Sequence, residues 1–287
     1  MPELPEVEVV KESLSRTITG KKIYKVSVKN RNLRIKIHKD FEKKLKLKFI
    51  KKVKRFSKYI ILDLDNNKYC VIHLGMSGTI HILKKLGLNN KTNTSFYHSP
   101  FLPKKHNHVT LKLNDMSIIY NDPRRFGFFK IFNNKLSLEK YFSRFGPEPF
   151  SNKFNIHYCK NYLYKKKKNI KNFLLDQKFV SGIGNIYASE ILFKSKINPK
   201  KKASFITNSD IKKIIRFSRK TLNHAIKYGG STIKDFKNIG GNKGYYQNNF
   251  KVYNRENKNC LDARCKGLIK KIIITNRSTF FCNICQK

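Results

Sequence analysis

Tyr59-Ile60-Ile61-Leu62-Asp63-Leu64, followed after a short polar link by Cys70-Val71-Ile72-His73-Leu74, decides the fold of the first half of the chain. Both runs are short, apolar and rich in β-branched residues, which is how buried strands read. Working outward, Ile23-Tyr24-Lys25-Val26-Ser27-Val28 alternates, and Val109-Thr110-Leu111-Lys112-Leu113 and Met116-Ser117-Ile118-Ile119-Tyr120 repeat the pattern. The spacing and turn residues favour a β-sandwich or barrel between about Lys22 and Phe132. Leu86 to His106 is polar and irregular and reads as a loop. Ahead of the strands, Pro5 to Thr17 reads as an amphipathic helix with Val7, Val10 and Leu14 on one side.

Gly146-Pro147-Glu148-Pro149 breaks the pattern and marks a boundary. Helical patterns follow over Asn155 to Lys165, Ile170 to Leu175, Ile186 to Phe193 and Ser209 to Tyr228. Gly229 to Tyr253 is rich in Gly, Asn and Tyr and reads as a loop bordering a site. The expectation is an α+β multidomain chain with an N-terminal β-sandwich and flanking helices over 1–146, a helical domain over 147–250 and a finger over 251–287.

The 287 residues carry 63 Lys+Arg against 18 Asp+Glu, a net charge of +45. Such a surface attracts polyanions, and nucleic acid is the commonest in a cell. The richness in Lys, Asn and Ile also fits an AT-rich coding sequence, so part of the charge reads as compositional drift. The acidic start lacks a secretory signal, and no run approaches a membrane span. Cys70 and Cys159 stand alone, which fits a reducing cytoplasm better than a disulfide framework.

The chain begins Met1-Pro2-Glu3-Leu4-Pro5-Glu6-Val7-Glu8. Initiator Met is normally trimmed before a small residue such as Pro. Trimming exposes the Pro2 amine, and a free α-amino group has a pKa of only about 8. It is thus a candidate nucleophile, with Glu3 beside it for proton transfer. Read in isolation, the two prolines and two glutamates merely stiffen a chain start and favour a helix N-terminus.

At the other end, Cys260 and Cys265 are separated by four residues, and after sixteen more residues come Cys282 and Cys285, separated by two. Each pair can grip one ion, and four thiolates satisfy tetrahedral Zn²⁺ in a closed, structural site. Between the pairs, Ile272-Ile273-Ile274, a turn at Thr275-Asn276-Arg277-Ser278, and Thr279-Phe280-Phe281 read as a hairpin, a zinc-ribbon-like finger. Arg277 at its tip has the planar fork that suits a phosphate.

The opening motif resembles the bacterial formamidopyrimidine-DNA glycosylase family, also called 8-oxoguanine DNA glycosylase. So do His73-Leu74-Gly75-Met76-Ser77-Gly78, Asp122-Pro123-Arg124-Arg125-Phe126-Gly127, Gly146-Pro147-Glu148-Pro149, Gly182-Ile183-Gly184-Asn185-Ile186-Tyr187-Ala188-Ser189-Glu190 and the finger with Arg277-Ser278-Thr279-Phe280. The resemblance spans essentially the whole chain. It implies a helix-two-turn-helix domain behind the sandwich and a bifunctional glycosylase and abasic-site lyase acting on damaged double-stranded DNA as a monomer.

In that reading Pro2 attacks C1′ of the damaged nucleotide and displaces the base. The protonated Schiff base then permits β- and δ-elimination. Glu3 matches the general acid, Lys58 the lysine of β-elimination and Arg277 the arginine of δ-elimination. Met76, Arg124 and Phe126 match side chains that fill the space left by the extruded nucleotide. His106, Arg124 and Lys166 match DNA-contacting positions, and Lys171 and Asn185 match contacts to backbone phosphates. Gly240 to Tyr246 occupies the lesion-capping loop.

The chain departs from the family pattern in its four-residue first cysteine knuckle, where two is commonest, in a long loop before His106, and in Ser57 ahead of Lys58. None removes a catalytic group. A sister enzyme that removes oxidised pyrimidines shares Pro2, Glu3 and the finger. Leu4, Val7 and the Asp122–Gly127 motif favour the purine enzyme. A non-catalytic nucleic-acid-binding zinc protein explains the charge and cysteines but leaves Pro2, Glu3 and Lys58 without a role.

Overall fold

The computed structural model describes residues 2–65, 67–84, 102–231 and 245–287, and they gather into two compact units. The first comprises Met1–Phe142 and Ile226–Gln247, the second Ser143–Ala225 and Asn248–Lys287. These units do not follow the three segments expected from the sequence. Residues after the long helix return to the N-terminal unit, where Ser231 bonds to Glu6. The finger groups with the helical residues because its second strand packs on a helix of that unit.

The first unit opens with α1 (Leu4–Ile18). The strands β1 (Lys25–Val28), β2 (Ile50–Phe56), β3 (Tyr59–Leu64), β4 (Tyr69–His73), β5 (Thr79–Lys84), β6 (Asn107–Lys112), β7 (Met116–Asn121) and β8 (Phe128–Phe132) follow. A short α2 (Phe41–Leu45) precedes β2, and α3 (Lys135–Phe142) follows β8. The strands form two antiparallel four-stranded sheets, ordered β2-β3-β4-β8 and β1-β6-β7-β5. Ile60, Leu62 and Ile72 from one sheet share a core with Ile80, Ile82, Val109, Leu111 and Ile118 from the other. The fold is therefore a sandwich, closed at one side by Val7, Val10 and Leu14 of α1. The outer face of the first sheet is covered too: Ile61 and Val71 pack with Phe132 and Leu138 of α3. Burial of both faces explains why β3 reads as a continuous apolar run rather than an alternation.

The second unit holds α4 (Ile156–Leu163), α5 (Ile170–Leu175), α6 (Asn185–Ser195), α7 (Asn208–Lys227, whose last two residues belong to the first unit) and the hairpin β9 (Ile269–Ile274) and β10 (Arg277–Cys282). Asn155 and Asn169 cap α4 and α5 by accepting the N–H groups of Tyr158 and Asn172. No helix among the described residues is long and apolar enough to cross a membrane.

Candidate active site and nucleic-acid interface

Pro2 is buried, and Glu3, 3% exposed, is the N-cap residue of α1. The backbone here is fixed by Glu6. One oxygen of that buried carboxylate accepts the Glu3 N–H at 2.8 Å, and the other accepts the N–H and hydroxyl of Ser231 at 2.8 and 2.9 Å. A single side chain thus ties the start of the chain to the segment that follows α7.

Lys58, buried at 7% exposure, lies in the two-residue turn between β2 and β3. The turn requires positive φ at Ser57 (54°), an unfavourable conformation for a residue with a Cβ. Arg55 stabilises it: its guanidinium donates to the Ser57 carbonyl at 2.9 Å and forms an ion pair with Glu8 of α1. The Glu8 carboxyl is held below its ordinary range by Lys11 and Arg55 against the opposing effect of burial. Helix α1, which carries Pro2 and Glu3 at its start, is therefore clasped to the turn that carries Lys58.

Met76 and Phe126 are large apolar side chains left 41% and 42% exposed, and the exposed Arg124 lays its guanidinium 4.6 Å from the Phe126 ring centroid. Their two loops interlock at the backbone: a Cβ on Gly75 would lie 2.4 Å from the Gly127 nitrogen. Exposed His106 borders an open groove of about 710 Å³ lined also by Lys104, Lys105 and Arg124.

In the second unit Lys166 is exposed. The hairpin places the exposed Arg277 at the start of β10, opposite Ile274, after a tight turn with positive φ at Thr275 and Asn276. Three side chains anchor this turn. The Thr275 hydroxyl donates to Asn172 Oδ1 at 2.6 Å, Asn185 Nδ2 donates to the Ser278 carbonyl at 2.9 Å, and Lys171 Nζ donates to Thr279 Oγ1 at 2.6 Å. Lys171 departs from expectation: it is fully buried, and its ammonium faces the finger rather than a surface where a phosphate could reach it.

The sulfurs of Cys260, Cys265, Cys282 and Cys285 all lie within 4.8 Å of one another, with Cys260–Cys285 at 3.7 Å and Cys265–Cys282 at 3.5 Å. Zn–S bonds of about 2.3 Å would set tetrahedral S···S edges of about 3.8 Å. The four thiols could hold a metal ion, and the longer first knuckle does not displace a ligand.

Sequence reasoning missed the buried carboxylates that support these groups. Glu190, 0% exposed, accepts the backbone N–H groups of Lys251, Val252 and Tyr253 at 2.9–3.1 Å and fixes the chain entering the finger. Burial nevertheless pushes its carboxyl up. Asp122 performs the same service in the first unit. Both lie inside quoted motifs, which was the available signal. Of Gly240 to Tyr246, only Tyr245 and Tyr246 fall within the described residues.

Family models for the formamidopyrimidine-DNA glycosylase N-terminal domain and H2TH domain match residues 1–129 and 145–237. Relatives called formamidopyrimidine-DNA glycosylase from Wolbachia pipientis wMel and Rickettsia bellii are 42% and 40% identical, each aligned over the whole of both chains. Among solved structures, a complex of a Lactococcus lactis Fpg variant with Fapy-dG-containing DNA aligns over 100% of both chains, with TM-score 0.88 and 32% identity. Another, of the Lactococcus lactis enzyme with abasic-site DNA, covers 99% of both chains, with TM-score 0.87 and 32% identity. Fold and site define a DNA glycosylase that acts in the repair of damaged DNA. The chain belongs to the formamidopyrimidine-DNA glycosylase family, whose members are glycosylases and abasic-site lyases.

Proposed function

We propose that this enzyme excises oxidised purines, 8-oxoguanine and formamidopyrimidines, from double-stranded DNA through a Schiff base on Pro2. The observation that carries the reading is the fixed start of α1, where Glu6 orders the backbone beside Pro2. The Pro2 nitrogen bonds to C1′ as the glycosidic bond breaks and the base leaves with a proton. Glu3 protonates the sugar ring oxygen, so the ring opens to the iminium. That cation acidifies the C2′ proton, whose removal expels the 3′ phosphate. A second elimination expels the 5′ phosphate and leaves a one-nucleotide gap. Lys58 serves the first elimination and Arg277 the second.

Met76, Arg124 and Phe126 enter the duplex. The exposure of both apolar side chains supports this, because a wedge must be available to unstack bases. His106, Lys166 and Asn185 hold the backbone, while Lys171 serves it indirectly through the finger. One structural Zn²⁺ sits on the four cysteines. The enzyme acts as a monomer in the cytoplasm.

The test is borohydride trapping on a duplex carrying 8-oxoguanine opposite cytosine, using protein with a native, Met-free N-terminus. A covalent adduct that vanishes in Pro2→Gly supports the amine mechanism and the purine substrate together. An adduct only on an oxidised-pyrimidine duplex moves the protein to the sister activity. No adduct on either, with binding intact, overturns the reading.

A further inference from the structure

We infer that Asp122 is the positioning residue that sets the duplex-penetrating side chains as one rigid unit, so that it governs extrusion of the damaged nucleotide and not the chemistry on the sugar. The inference rests on the proposed roles of Met76, Arg124 and Phe126 as the side chains that enter the duplex.

Asp122 is 0% exposed, at the end of β7. One carboxylate oxygen accepts the Ser77 hydroxyl at 2.6 Å, the residue next to Met76. The other accepts the Gly127 N–H at 2.9 Å, next to Phe126, and the Tyr120 hydroxyl at 2.9 Å. The Ser77 hydroxyl oxygen in turn receives the Arg124 N–H at 3.3 Å. Asp122's own N–H donates to the His106 carbonyl at 3.0 Å, and its carbonyl accepts the Arg125 N–H at 3.2 Å and bonds His108 Nε2 at 2.8 Å. Of the residues expected to touch DNA, Met76 and Phe126 each adjoin a residue bonded to this carboxylate, Arg124 is reached from it through the Ser77 hydroxyl, and His106 is bonded to the Asp122 backbone.

The packing admits little alternative. A Cβ on Gly127 would fall 1.8 Å from the Tyr120 hydroxyl, so that hydroxyl and Gly127, the residue after Phe126, are close-packed. A charged acceptor with three donors is held in one orientation and makes hydrogen bonds about twice as strong as neutral ones. A wedge that must unstack a duplex needs such support, because a mobile Met or Phe would yield before the base pairs did. Nothing in the network is a group assigned to the sugar chemistry. Losing it should leave Pro2, Glu3 and Lys58 in place.

The experiment compares single-turnover excision of 8-oxoguanine from a duplex with strand scission at a preformed abasic site in a single-stranded oligonucleotide. The latter needs no extrusion from a stack. Asp122→Asn should slow duplex excision by about 10²-fold, the scale of an ångström-sized misplacement, while single-strand scission stays within about threefold. Ser77→Ala removes the tie between the two loops with far less risk to folding, and should shift the same ratio by about tenfold. Met76→Ala with Phe126→Ala is the control for the underlying reading. If that control leaves duplex excision unchanged, the duplex-entry assignment fails. If the control slows duplex excision but Ser77→Ala leaves the ratio unchanged, the Asp122 inference fails. A parallel fall of both activities in the Asp122 and Ser77 variants would likewise overturn it.

Discussion

Lys171 of α5 places its ammonium 2.6 Å from Thr279 Oγ1 and 3.3 Å from the Ser278 carbonyl, so a fully buried lysine supports the strand that presents Arg277. A buried ammonium is tolerated only with such partners. Lys171→Met should remove the charge together with the bonds, and it leaves Thr279 and Ser278 short of a donor. Expected is a loss of about 1–3 kcal/mol of stability. The elimination assigned to Arg277 should slow more than base excision. Product analysis on an 8-oxoguanine duplex checks this: accumulation of the β-elimination product over the gap product is expected. Equal slowing of both steps would remove the link between Lys171 and Arg277.

Arg55 offers a second partition. Its side chain is only 8% exposed and bonds both Glu8 and the Ser57 carbonyl beside Lys58. Truncating one partner of a largely buried pair costs about 3–5 kcal/mol. Arg55→Met should therefore lower the melting temperature and loosen the strained Ser57 turn. Borohydride trapping, which reports on Pro2, should survive better than strand scission, which needs Lys58. Glu8→Gln, which keeps a hydrogen-bond acceptor, should have a smaller effect in the same direction. Proportional loss of trapping and scission in both variants would show that the clasp does not act through Lys58.

How far the sequence revealed this follows from where each residue finds its partners. β3 and β4 were legible as consecutive apolar runs, and β6 and β7 because their apolar residues alternate with polar ones. β2 was not picked out: Ile50-Lys51-Lys52-Val53-Lys54-Arg55-Phe56 is an edge strand with exposed lysines, a composition that keeps edges from pairing but hides them from a pattern search. Pro2, Glu3 and the cysteines stood out by type and spacing and Arg277 by its place on the hairpin, whereas Lys58 was picked out only through the family resemblance. Glu6, Asp122 and Glu190 lie inside the quoted motifs, but their supporting roles did not show, since they accept bonds from backbone groups and hydroxyls up to 225 residues away and no local spacing encodes those. Lys171 shows the converse: the family resemblance implies a phosphate contact there, and its burial against Thr279 and Ser278 is something no local pattern shows.

The four-cysteine cluster predicts a strong dependence of the finger on metal. Binding energies of structural zinc in finger peptides run to about 10–16 kcal/mol and are folding energy. Few apolar residues support this part of the unit: Val252, Ile269, Phe280 and Phe193 form its small core. Cys285→Ser should abolish stoichiometric zinc, and prolonged chelation of the intact enzyme should unfold the hairpin and displace Arg277. Elemental analysis paired with hydrogen exchange over Ile269–Cys282 tests this. Unchanged protection of β9 and β10 after complete zinc removal would show that the hairpin stands without metal.

The last prediction concerns acid. Burial, with the charges of Lys58 and Arg34, pushes His73 from 6.5 down to about 4, and its Nδ1 accepts the Gly75 N–H at 3.0 Å at the entrance to the Met76 loop. In the unfolded chain His73 takes up its proton near its ordinary value, so between about 6.5 and 4 the unfolded state binds more protons. The stability it contributes is therefore fully present above about 6.5 and is lost as pH falls toward 4, by at most about 3 kcal/mol. Buried His81, lowered to about 3 by desolvation, acts in the same direction and remains in any His73 variant. His73→Gln keeps an acceptor for Gly75 but does not titrate. Its melting temperature should fall less steeply than the wild type's between pH 6.5 and 4, with the two curves parallel above pH 7. Curves that stay parallel throughout that acid window would show that His73 does not couple folding to protonation.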